Sequence, residues 1–547
     1  MRKIFFLIAL IILLPSLHAQ TRNRIPAEKP KLIIGIVVDQ MRYDYIQKYW
    51  NDFEDNGFKR LINEGTICRD TRVNYLFTQP GVGHATVATG TYPSYHGIVG
   101  LKWYNDLTNE IVHCTKDTDY STIGGSFESG QHSPHRLMTT SFADELRLAS
   151  NKRSKTIGIS LEAEEAVLSA GHTANGAYWF DQVTGNWVSS SFYMDSLPVW
   201  VDDFNLKRFP DTYLERTWNP LLPLEAYDES NKANDKFENG IANNTNFPYD
   251  LEKLSKNNGR QTRYELIHKT PFGNTYTKDF AIASIVNEEL GTDEFTDYLT
   301  LNFSVTEHIG KSFGPTSIEL QDIYIRLDKD LAHFLDFVND NIGKENVLIY
   351  LTSANGVSYS PDFLKDARIP GGHFNHYSAL TLLRSYLNAV YGQGEWVKFY
   401  FQNQVYLNRK LIEDSDLSLE QFQTRVAQFL IQFEGVANAV SSTTLHTRNY
   451  TKGILEKIQN GFNQKNSGDV IINLKPGWIE KSDHVTGNNS AYAYDSHVPL
   501  IWYGWKIKRQ RINRQLEITD IAPTLSSFLD IAYPGATIGR PILELME

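Results

Sequence analysis

The sequence predicts an α/β fold built on a largely parallel sheet with helices on both faces. Two observations carry this. Short apolar runs rich in Ile, Val and Leu alternate with segments of helical periodicity, the pattern of strands buried on both faces. Polar residues suited to chemistry also stand just past the ends of several such runs, where open α/β sheets gather their sites.

Leu32 to Val38 reads as one strand, with Tyr298 to Phe303, Asn346 to Thr352 and Val498 to Trp502 as others. Asp39, Glu307 and the Ala354-Asn355 pair follow such runs, which predicts one shared pocket; His497 instead precedes its strand. Residues 174–270 are dense in Trp, Asn, Pro and Asp, with a polar run from Asn231 to Asn246, and read as an inserted lobe. A second insertion covers residues 362–481. There Leu417, Phe422, Val426, Phe429, Leu430 and Phe433 recur at helical spacing. The core then comprises residues 28–173, 271–361 and 482–547. Thr519-Asp520-Ile521-Ala522-Pro523-Thr524 opens a helix, with residues suited to capping and a proline in the first turn.

A chain of 547 residues with 41% hydrophobic and 21% charged residues is globular and long enough for two or three structural units. A net charge of −11 argues against non-specific nucleic-acid binding. Arg2 and Lys3 precede the apolar run Ile4 to Leu14, and Leu17-His18-Ala19 offers a cleavage point. Residues 1–19 therefore read as a secretory signal peptide, since that run is too short for about 30 Å of hydrocarbon. No transmembrane segment is expected, and the mature protein is expected in the periplasm, at the cell surface or secreted. Cys68 and Cys114 are compatible with one disulfide or with two separate thiols.

Motifs in a fixed order then narrow the reading. They are Val37-Val38-Asp39-Gln40-Met41-Arg42, Gly81-Val82-Gly83-His84, His96-Gly97-Ile98, Gly130-Gln131-His132-Ser133-Pro134 and Ala170-Gly171-His172. Thr270-Pro271-Phe272-Gly273-Asn274-Thr275, Phe313-Gly314-Pro315, Tyr494-Asp495-Ser496-His497 and the Thr519 segment follow. Together they resemble the alkaline phosphatase superfamily, and most of all the secreted, monomeric, phosphate-irrepressible alkaline phosphatases of bacteria. The resemblance implies a three-layer sandwich with a mostly parallel central sheet and inserted cap lobes. It also implies two zinc ions, roughly 4 Å apart, that clamp an in-line phosphoryl displacement.

Residue by residue, the resemblance places the nucleophile at Pro80, which has no hydroxyl and no backbone N–H. One metal position falls on Asp39, Ala354 and Asn355, of which alanine cannot ligate and a neutral amide ligates poorly. The other falls on Glu307, Lys311 and His497, and a protonated lysine has no lone pair to give. The phosphate-contacting positions are Leu101, Glu162 and Glu164, so two expected cations are carboxylates. These substitutions predict an exported protein of this fold that has lost phosphatase activity and serves as a binding or complex-assembly component. They predict no cofactor, or at most one weakly held zinc or other divalent ion at Asp39, Glu307 and His497. The runner-up is a metal-dependent phosphomonoesterase or phosphodiesterase with an altered one-metal site.

Glu307 and Lys311 stand four apart, so on a helix the ammonium would face the carboxylate. His84 is expected to pack near a helix start, and His132 and His135 to be loop histidines. His373 and His376 lie in a glycine-rich loop that could border the pocket. The aromatic residues Tyr178, Trp179, Phe180, Trp187, Phe192 and Tyr193 read as core before surface.

Overall fold

Leu32–Val38 is the middle of the molecule, and all seven of its residues are buried. Its side chains alternate between two cores. Leu32, Ile34, Ile36 and Val38 join one, and Ile33 joins the other, as a strand sandwiched between two helical layers must. The computed structural model describes residues 28–231, 235–257, 263–482 and 484–547. The expected signal peptide lies outside them. Among the described residues no helix is long and apolar enough to cross a membrane.

The central sheet has ten strands. Leu32–Val38 pairs in parallel with Asp297–Phe303 on one side and Val347–Thr352 on the other. Asp297–Phe303 is followed outward by Thr156–Ile159 and Gly176–Asp181, again parallel. The other half departs from the parallel pattern: His497–Gly504 runs antiparallel to Val347–Thr352. That reversal is why His497 stands at the start of its strand yet near the edge where the parallel strands end. Gly35 lets the sheet accept a large neighbour, because a Cβ there would sit 2.2 Å from the Tyr350 hydroxyl. Tyr350 and Tyr298 share a hydrogen bond of 2.8 Å across that gap.

The lobe boundary at residue 174 is corrected. Gly176–Asp181 and Asn186–Ser190 extend the central sheet, and Tyr178, Phe180 and Trp187 belong to its main core. The rest of the segment also packs on that core through Val201, Phe204, Tyr213 and Trp218. Its polarity misled because only one face of each short helix needs to be apolar. The second insertion holds its own four-stranded sheet, Val397–Phe401, Gln404–Leu407, Val470–Leu474 and Val436–Ser441. The helix expected near Leu417 to Phe433 is Leu419–Leu430; it is capped by Ser418 and buries Phe422, Val426 and Leu430. The Thr519 segment begins as a short turn, Ile518–Asp520, before the helix Ile521–Leu529. Cys68 and Cys114 are both buried free thiols.

A buried glutamate, Glu319, and a half-buried one, Glu238, predict a pH-dependent stability. Tyr249 donates 2.7 Å to Glu319 Oε1, and burial pushes the Glu319 carboxyl up to about 7. Burial, then Glu319, pushes Glu238 up to about 9. Raised acids are protonated in the folded chain and ionised in the unfolded one. Their stabilisation is therefore full below the unfolded value near 4.5 and lost as pH rises through about 7 and then about 9. We expect the melting temperature to fall between pH 5 and pH 9, and Glu319→Gln to flatten that fall. Equal slopes for the two proteins in thermal melts would refute the assignment.

Candidate functional site

Asp39 follows the central strand directly, and its backbone N–H donates to Phe303 O at 3.2 Å. The carboxylate is fully buried, and its Oδ2 accepts from Asn302 Nδ2 at 2.8 Å. The same amide also donates to Glu165 Oε2, which takes a 2.6 Å hydrogen bond from Ser160 as well. Burial, then the nearby Asp39, holds the Glu165 carboxyl well above the usual range. Asn302 and Glu165 are absent from the sequence reading. The signal for Glu165 was present, as a third carboxylate directly after Glu164 in the first turn of Ala163–Ala170.

His84 lies in the helix Pro80–Thr89. Its Nδ1 meets Ser169 Oγ at 2.9 Å, and its Nε2 is 3.5 Å from Asp39 Oδ1. Donor atoms of Asp39, His84 and Glu165 lie within 4.8 Å of one another, so His84 borders the site as well as packing near the helix start. Pro80 is the first residue of this helix. It lines the cleft beside Gln79, Gly81 and Leu101. Ala354 is buried, and a Cβ built on Gly83 would lie 2.5 Å from the Ala354 Cβ. Helix start and strand end are in direct contact there. Asn355 turns its amide back to Gly356 O at 2.8 Å.

Glu307 and Lys311 lie on one face of the helix Val305–Phe313, with Nζ 2.7 Å from Oε1. Burial works against the Lys311 charge, but Glu307, then Glu162 and Asp39, hold it above its ordinary value. Asn488 Nδ2 donates to Glu307 Oε1 at 3.3 Å. His497 is corrected here. Its ring stacks on Tyr43 with centroids 4.5 Å apart, and its Nε2 donates to Arg69 O at 2.9 Å. It is not among the residues lining the cleft, so Asn488 takes the place beside Glu307. The motif Tyr494-Asp495-Ser496-His497 misdirected the assignment because a residue just ahead of a strand can face either way. Asn488 lies nine positions earlier, in a loop without regular periodicity.

Glu162 sits between two imidazoles, with Oε1 2.9 Å from His268 Nδ1 and 2.7 Å from His308 Nε2. Burial acts to raise the Glu162 carboxyl, yet His268 and His308 together hold it well below the usual range. Glu164 goes the other way, pushed up to about 8 by burial and then by Glu162. Both carboxylates line a cleft of about 880 Å³, together with Glu307, His308 and Lys311. The opposite wall comes from the second insertion and includes Tyr377, Tyr400 and Trp478. His376 lines the cleft, pairs with Glu480 at 2.8 Å and stacks on Tyr400. His373 lies 3.4 Å from Asp362. His132 and His135 bond within their own loop, to Thr115 and Ser133.

Fold, cleft and motif order define a class. A family model described as type I phosphodiesterase / nucleotide pyrophosphatase matches residues 33–496, and the chain belongs to this family of the alkaline phosphatase superfamily. Among curated proteins it is similar to alkaline phosphatase PafA of Elizabethkingia meningoseptica, 37% identical over 546 residues, 99% of this chain and 98% of that one. It is also similar to alkaline phosphatase PhoV of Synechococcus elongatus, 37% identical over 538 residues, 97% of this chain and 95% of that one. The crystal structure of wild-type PafA superimposes with a TM-score of 0.90 at 37% identity, covering 96% of this chain and all of that one.

The family implies two zinc ions, and Ala354, Asn355 and Lys311 do not fit the ligand positions that the motifs assign to them. The motif positions meant to complete the Asp39 site hold Ala354, with no donor atom, and Asn355, with its amide turned to Gly356, and the donor atoms near Asp39 are instead those of His84 and Glu165. Beside Glu307 stand an ammonium and an amide nitrogen.

Proposed function

We propose that this chain is an exported alkaline-phosphatase-fold protein that has lost phosphatase activity and serves as a binding or complex-assembly component. The observation that carries the reading is Lys311. Its ammonium stands 2.7 Å from Glu307 Oε1, so a cation that cannot leave or ligate neutralises the carboxylate a metal would need. Pro80, Leu101, Glu162 and Glu164, which line the cleft, and the buried Ala354 and Asn355 support the same reading. Six acidic residues against three cations, Lys311, Arg384 and Lys481, line the cleft beside an aromatic wall, and this acidic excess favours a cationic or neutral ligand over a phosphate dianion.

The alternative, a phosphohydrolase using one metal at Asp39, Glu307 and His497, loses its third ligand to the Tyr43 stack. The group Asp39, His84 and Glu165 is a weaker replacement, since all three are almost fully buried and only Glu165 lines the cleft. The test is zinc per chain by elemental mass spectrometry, together with binding of phosphate and vanadate. At most one zinc and no oxyanion binding is the expected result. Two zincs per chain, or vanadate bound in the micromolar range, would overturn the proposal.

A further inference from the structure

We propose that Glu162, His268 and His308 form a site for one divalent ion of the zinc class, set in the cleft wall with a remaining position open to a ligand. This goes beyond the reading above and does not depend on it. The three donor atoms lie within 4.8 Å of one another. Two imidazoles and a carboxylate are a donor set that zinc favours, and three protein ligands leave a coordination position free.

The second observation is an unpartnered atom. His268 is 1% exposed, and its Nδ1, although 2.9 Å from Glu162 Oε1, makes no hydrogen bond of acceptable geometry. Buried polar atoms without partners are uncommon and call for an explanation. The metal-free arrangement asks one carboxylate oxygen to serve both rings, since His308 Nε2 already lies 2.7 Å from it. An ion seated among the three would give Nδ1 a partner. The other ring nitrogen of His268 lies 3.3 Å from the Gln182 side-chain amide. Turned so that its oxygen accepts, that amide would fix the tautomer in which Nδ1 carries the lone pair.

The elements explain why the three meet. Glu162 is the residue just before the helix Ala163–Ala170, His308 lies on Val305–Phe313, and His268 lies in the turn Arg263–Lys269 ahead of the long helix Pro271–Asn287. Glu162 and His308 face the cleft, so an ion could enter from solvent. Lys311 is close, but its charge is paired with Glu307.

The experiment is a titration of the metal-free, full-length mature protein with Co²⁺, followed by visible absorption. One equivalent should saturate a band typical of low-coordinate cobalt, and zinc should displace it. His308→Ala and Glu162→Gln should weaken binding by at least about 100-fold, more than the loss of a supporting partner would. Gln182→Ala should weaken it about 10- to 100-fold. His268 is buried and its substitution could disturb folding, so His308, which is partly exposed, carries the test, with circular dichroism as the check on fold. Asp39→Asn should bind normally. No cobalt band, or binding unchanged in both His308→Ala and Glu162→Gln, would overturn the site. Loss in Asp39→Asn alone would also overturn it, by moving the ion to Asp39, His84 and Glu165. Ester hydrolysis is a separate readout: zinc bound here with phosphate turnover would sink the loss of phosphatase activity while leaving this site standing.

Discussion

Purified protein is expected to release no p-nitrophenol from mono- or bis-p-nitrophenyl phosphate, with or without added zinc. The rate should sit at least about 10⁴-fold below that of a two-metal relative assayed alongside, because catalytic groups that act as a unit fail together. Pro80→Thr alone should change nothing. It would return a hydroxyl to the first residue of the helix Pro80–Thr89, but the Asp39 and Glu307 positions would lack the two ions needed to lower its pKa and hold the leaving oxygen. Nor would the oxyanion be welcome, since the ionised Glu162 lines the same cleft. Turnover in the Pro80→Thr protein, dependent on zinc and abolished by a further Asp39→Ala change, would show that the metal positions had been misread.

Lys311→Met is expected to destabilise the fold by about 2–4 kcal/mol. Removing one partner from a buried ion pair costs about 3–5 kcal/mol, because the other charge remains without compensation. The lower figure applies because the Lys311 side chain is 30% exposed against 7% for Glu307, so water recovers part of the loss. The lysine is held above its ordinary value, so its contribution is complete below pH 10 and disappears only at higher pH. Denaturant melts at pH 7 decide the matter, and Lys311→Met combined with Glu307→Gln should regain most of the loss. A single substitution costing less than about 0.5 kcal/mol, the scale of an ordinary surface change, would mean the pair is merely a surface contact.

Much of this was legible in the sequence, for identifiable reasons. The strand Leu32–Val38 was readable to the residue because burial on both faces leaves no polar interruption. The Glu307–Lys311 contact followed from helical spacing alone. Asn302 and Glu165 could not be found that way. Asn302 looks like any polar residue inside a strand, and only the sheet register, which sets Val37 opposite it, brings it to Asp39. His268 likewise needed the tertiary fold, since more than a hundred residues separate it from Glu162. The boundary expected at residue 174 falls inside the sheet because the apolar run Ala177 to Phe180 forms a buried strand within an otherwise polar segment.

The contact between Gly83 and Ala354 sets a direction on how such a chain can change. An aspartate at 354 would have to find room against the helix that now lies on it, where even a methyl group on Gly83 would collide. It would also arrive next to Asp39 with no ion to share. Each lone reversal therefore lowers stability before any ion can repay it, and the gains appear only when several changes coexist. On the function proposed above, a return to metal binding would therefore cross a valley in stability.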